Sequence, residues 1–147
     1  MTAELKATAP ETLAKLREVE VAMLRQGEQA TVPTQHVIHA GMYARTILMQ
    51  QGVLLTGALI KRATLLIVTG TAAMFTGEGW ARLEGYNVIP ARAGRKTMFL
   101  AYTPVTITMV FPTAARTVED AEREFTDEAD ALLSRHQNAS AVLITED

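Results

Sequence analysis

Three histidines, His36, His39 and His136, are the imidazoles of this chain, and there is no cysteine. Divalent metals need imidazole, carboxylate or thiolate donors. His36 and His39 stand three residues apart. In a strand that spacing sends the rings to opposite faces, so the pair could not grip one ion; in a loop it could. From Ala40 to Gly77 the sequence has no His, Asp, Glu or Cys. The expectation is no metal and no cofactor, with His36 and His39 as hydrogen-bonding or interface residues. Absence of cysteine excludes disulfides, thiolate nucleophiles, iron–sulfur clusters and Cys-based zinc sites. The two serines, Ser134 and Ser140, fall late and in no nucleophile elbow, and no phosphate-cradling Gly-Lys-Ser/Thr loop occurs. Nothing nominates a catalytic residue.

The remaining chemistry is cationic. Tyr43 and Arg45 share one side of an alternating segment. An Arg inside a β-structure needs an anion, because a bare buried guanidinium is costly. Between Glu28 and Glu78 there is no acidic residue. Arg45 must therefore pair with Glu78, Glu84 or a helix carboxylate, face water, or meet a bound anion. Lys61-Arg62 and Arg92, Arg95 and Lys96 form two basic clusters that would bind phosphate or carboxylate if they converge. The candidate ligand-binding residues are Tyr43, Arg45, Lys61, Arg92, Arg95 and His39, for a small anionic ligand.

These residues hang on elements that the pattern predicts. A helix is expected over 10–26. Pro10 suits its first position, Glu11 its first turn and Gly27 its end. Leu13, Leu16, Val19 (or Glu20) and Met23 with Leu24 recur at helical spacing. A second helix is expected over 118–135, with Thr117 as N-cap and a stripe of Val118, Ala121, Phe125, Ala129, Leu132 and Leu133. The acids Glu122, Glu124, Asp127, Glu128 and Asp130 read as its solvated face. The tail 141–144 reads as a late strand or docking segment. Between the helices the chain reads as β. Segment 42–50 alternates, as does 105–111, with Val105, Ile107, Met109 and Phe111 on one side. Leu65 to Val68 does not alternate, which suggests burial on both faces. Closely spaced glycines between short strands suggest a sandwich or small barrel.

Gly85, Pro90 and Gly94 resemble the second cupin motif, with Thr97 in the place of its histidine. The stretch from His36 to Thr46, with Gly52, Gly57, Lys61, Gly70 and the loop 90–96, is similar to small cupin-like proteins of tailed bacteriophages and prophages. The resemblance implies a mainly β, cupin-type double-stranded β-helix barrel (35–116), preceded by the N-terminal helix and linker (1–34) and followed by the acidic helix and tail (117–147). Such relatives often carry histidines in the strand after the Gly57 position; this chain has Leu59, Ile60, Arg62 and Thr64 there. That points to a non-catalytic, phage-associated protein binding a small anion or a partner. The alternatives are a phage structural or assembly protein and a cupin enzyme using His36 and His39.

Composition bounds the partners. A formal charge of -2 gives no reason to expect nucleic acid. The most apolar stretches are too short for a membrane helix, and the N-terminal residues do not read as a signal peptide, so a cytoplasmic protein is expected. Apolar stripes on both helices and two-sided apolar strands suggest a homo-oligomer.

Overall fold

A computed structural model describes residues 4–26 and 29–145. The first helix, α1, spans Pro10–Arg25, with proline in its first turn as expected. Leu16 is its fully buried anchor; burial of such a side chain contributes about 1.5–3 kcal/mol. Gly27, expected to stop this helix, lies outside the described residues. Ten strands follow: β1 (Thr34–His39), β2 (Met42–Met49), β3 (Leu54–Thr56), β4 (Thr64–Thr69), β5 (Ala72–Phe75), β6 (Trp80–Leu83), β7 (Tyr86–Ala91), β8 (Met98–Ala101), β9 (Val105–Pro112) and β10 (Ser140–Ile144). The second helix, α2 (Val118–Phe125), lies between β9 and β10.

The pairing is nested. β2 pairs with β9, β3 with β8, β4 with β7 and β5 with β6, all antiparallel. Residues 42–112 are thus one long hairpin, and successive rungs fall alternately in a six-stranded and a four-stranded sheet. A hairpin wound in this way is a double-stranded β-helix, the cupin-type barrel. β1 and β10 widen the larger sheet, β1 antiparallel to β2 and β10 parallel to β1. The tail is therefore a strand.

Period-two alternation explains the core. Val105, Ile107, Met109 and Phe111 of β9 are buried, while Thr106, Thr108 and Val110 between them face outward. β4 corrects the sequence expectation of burial on both faces. Leu66 and Val68 point into the core, but Leu65 is 48% exposed. Its unbroken apolar run reflects two apolar faces, one of them uncovered in the single chain.

The second helix is also shorter than expected, ending at Phe125 rather than near Arg135. The Phe125 carbonyl accepts a hydrogen bond from the Lys61 backbone N–H (2.7 Å), and Thr126 turns extended at φ -150°. The Thr126 hydroxyl then accepts from the Glu128 N–H. A tertiary contact takes a helix-end carbonyl, and two 3₁₀ turns (Ala129–Ala131 and Leu133–Arg135) carry the chain on. Thr117 caps the helix as expected, accepting from the Asp120 N–H. The acidic face is not wholly solvated, because Glu122 is only 2% exposed.

Candidate functional site

The two sheets enclose a cavity of about 290 Å³. Its walls are mostly apolar, with Ile47 from β2, Phe99 from β8, and Ile107 and Met109 from β9 among them. Met23 and Leu24 of α1 and the turn around Leu132 and Leu133 also reach it. Three cations stand in this apolar wall: Arg45, Arg95 and Lys96.

Arg45 points inward from β2 because it shares parity with the buried Tyr43 and Met49. Its Nη1 donates to the Glu122 carboxylate (2.8 Å) and its Nη2 to the Ser134 hydroxyl (3.0 Å). Its guanidinium carbon lies 5.5 Å from the Phe125 ring centroid. Glu122 also receives Arg135 Nε at 2.9 Å. Arg45 thus pairs with a helix carboxylate, one of the options its sequence context left open.

Lys96 is buried completely. Its Nζ donates to the Glu20 carboxylate (2.9 Å) and to the Gly57 carbonyl (2.7 Å). Lys96 and Arg95 owe their inward placement to the loop between β7 and β8. Gly94 turns that loop at φ +83°, a region costly for residues with a Cβ. Backbone bonds then fix it on two sides: Gly94 N–H donates to the Ile60 carbonyl, and Thr8 N–H donates to the Gly94 carbonyl.

Arg95 differs from the other two. It is 3% exposed, and its hydrogen bonds all go to neutral acceptors. Nη1 donates to the carbonyls of Arg92 (3.0 Å) and Arg62 (3.3 Å), and Nη2 to the Thr64 hydroxyl (2.7 Å). A second Nη2 contact runs to Met109 Sδ at 3.7 Å, a weak acceptor that lines the cavity. Burial pushes the guanidinium down to about 10, so it stays charged at neutral pH. An apolar cavity thus holds a cation with no carboxylate among its hydrogen-bond partners.

Of the sequence candidates, Arg45 and Arg95 come together on this wall. Tyr43 lies behind it, fully buried among Phe111 and Phe125 and bonded to His36 Nδ1 at 2.7 Å. Burial pushes its hydroxyl up to about 12. The other candidates face outward. Lys61 pairs with Asp127, Arg92 with Glu4, and His39 bonds Thr145. His36 and His39 sit on opposite faces of β1, and neither lines the cavity. Among the described residues, no three His, Cys, Asp or Glu side chains gather to hold a metal ion.

Sequence reasoning passed over Glu20, Glu122 and Ser134 as site residues, and it held Lys96 only as a member of the basic cluster with Arg92 and Arg95. A signal for both carboxylates was present. Glu20 falls at Leu13, Leu16, Glu20, Met23 spacing, and Glu122 at Val118, Glu122, Phe125, Ala129 spacing. Each carboxylate thus stands inside an apolar stripe, where a charge survives only with a partner. No comparable signal marks Ser134, and nothing in the basic cluster sets Lys96 apart from the exposed Arg92.

No protein-family model matches the sequence, and no curated protein matches it. Solved structures do resemble the fold. A cupin superfamily protein from Desulfitobacterium hafniense is 12% identical over 63% of this chain and 87% of its own, at a TM-score of 0.47. A Cupin 2 conserved barrel domain protein from Salinispora arenicola is 15% identical over 67% and 92%, also at 0.47. Salicylate 1,2-dioxygenase from Pseudoaminobacter salicylatoxidans is 12% identical over 84% of this chain and 38% of its own, at 0.47. Identity at this level carries no substrate, metal or partner over to this chain.

Proposed function

We propose that this chain is a non-catalytic binding protein whose barrel lumen takes a small organic anion with an apolar body. The observation that carries the reading is Arg95, a buried guanidinium bonded only to neutral acceptors in a mostly apolar cavity whose other cations, Arg45 and Lys96, are paired with Glu122 and Glu20. A carboxylate oxygen is a far better acceptor than the thioether of Met109, and it would supply the counter-charge that the fold leaves out. The apolar wall would take the rest of the ligand. Most small-molecule sites have this form: an apolar cavity with a few placed polar groups. Arg45 and Lys96 already hold carboxylates, so they shape the field of the cavity rather than compete for the ligand. The likeness of the stretch from His36 to Thr46 to tailed-phage and prophage proteins supports a phage or prophage origin. The ligand would then be a metabolite of the host cytoplasm.

A thermal-shift series tests this. The probes are apolar-bodied monocarboxylates, each beside its neutral amide. A carboxylate at 100 times its dissociation constant adds about 2.7 kcal/mol of stability. The expected result is a rise with the acid, none with the amide, and loss of the rise in Arg95→Gln. No rise with any carboxylate, or an undiminished rise in Arg95→Gln, overturns the reading.

A further inference from the structure

The outer face of the six-stranded sheet is the other unusual surface. Its composition follows from the strand register. One row across all six strands reads Leu143, Val37, Ala44, Val110, Leu65, Pro90. The next row includes Thr46, Thr108 and Ile67, and the one beyond it Leu48, Thr106 and Tyr86. No outward position on any of these strands is Asp, Glu, Lys or Arg, in a chain whose residues are 20% charged. Nor does either helix cover the face. Leu65, Tyr86, Val88 and Leu143 are each 45% or more exposed. The outer side of the smaller sheet carries Arg82, and both helices carry charge on their exposed sides.

We propose that a second copy of this chain covers this face, sheet against sheet, about a two-fold axis. Three features select that occupant. With strands about 4.8 Å apart and a rise of about 3.3 Å per residue, six strands of this length present roughly 600 Å². That approaches the ~800 Å² per partner of a standard stable interface. A two-fold operator lays these neutral rows on themselves without bringing like charges together. Nucleic acid or an anionic membrane would require Lys or Arg here, and the face has none. The polar groups at its centre are already partnered: the Thr46 and Thr108 hydroxyls bond each other at 2.8 Å, so they can be buried at little cost. The packing expected is that of a β-sandwich, with sheets about 10 Å apart and strands crossing at about 30°.

The test is light scattering and sedimentation on the intact protein. The wild type should have twice the 16.0 kDa chain mass. Leu65→Lys and Thr108→Arg, at the centre of the face and exposed or half-exposed in the single chain, should each fall to the single-chain mass with an unchanged circular dichroism spectrum. Trp80→Lys, on the smaller sheet, should keep the double mass. Hydroxyl-radical footprinting of the wild type gives a second measurement free of variants. Labelling of Leu65 and Tyr86 should fall as protein concentration rises, while that of Trp80 stays constant. A wild type of single-chain mass at every concentration overturns the proposal. So does a double mass that survives both face variants, labelling of Leu65 independent of concentration, or co-sedimentation with phosphatidylcholine vesicles.

Discussion

Replacement of Arg95 by methionine separates a cation reserved for a ligand from one that merely braces the barrel. The guanidinium is 3% exposed, and burial alone lowers its pKa from the ordinary guanidinium value to about 10. Holding the charge against that lowering costs the folded chain roughly 3 kcal/mol. Arg95→Met removes that penalty and fills most of the same volume with a side chain suited to irregular gaps. Against this, the buried Thr64 hydroxyl loses its donor, which costs about 1–2 kcal/mol, while the part-buried carbonyls of Arg62 and Arg92 can bond water instead. The ligand-free variant should therefore be more stable than wild type by about 1–2 kcal/mol. In a chain of this size that raises the melting temperature by about 2–8 °C. The sign of the linkage adds a check. The folded pKa lies below the unfolded one, so the penalty is fully present below pH 10 and is relieved only as pH rises above about 10. The gap between variant and wild type should stay flat from about pH 6 to 9. Urea titrations of both proteins, with equal slopes, measure it. If Arg95→Met is instead less stable than wild type by 1 kcal/mol or more, its hydrogen bonds outweigh its buried charge. Arg95 is then a brace, and the case for an anion site goes with it.

Two other perturbations follow from the geometry. Glu122→Gln leaves Arg45 and Arg135 without their shared carboxylate in a nearly water-free setting. A loss of about 3–5 kcal/mol is expected in urea unfolding, against well under 1 kcal/mol for Glu84→Gln on the exposed pair with Arg82. The His36 ring is held below its ordinary pKa, first by burial and then by the nearby Arg45 charge. The unfolded chain thus takes up a proton near pH 6.5 that the folded chain refuses, and stability should fall as pH drops below 6.5. The melting temperature of wild type should decline over that range more steeply than that of His36→Gln; equal slopes would refute the assignment.

Legibility differed from element to element. The barrel was readable from β9, where Thr106 and Thr108 alternate with Val105, Ile107 and Met109, and from the closely spaced turn glycines. The start of α2 was readable from Thr117, since a cap is a local event three residues long. Its end was not, because the bond that stops it comes from the Lys61 backbone, far off in the chain. The apolar run of β4 gave composition without direction. Nothing local says that Leu65 faces out and Leu66 in, since both are equally apolar.

The candidate site divides in the same way. That Arg45 needs an anionic partner, and that residues 40–77 hold no His, Asp, Glu or Cys, followed from residue types alone. Burial of Arg95 and Lys96, and exposure of Arg92 in the same loop, did not. Local spacing governs periodicity and caps, so those features are written in the chain. Which cation meets a carboxylate depends on register and on contacts between residues as distant as Arg45 and Glu122. Only the closed barrel decides that Glu20 answers Lys96, that Glu122 answers Arg45, and that Arg95 is left with neutral acceptors in the cavity wall.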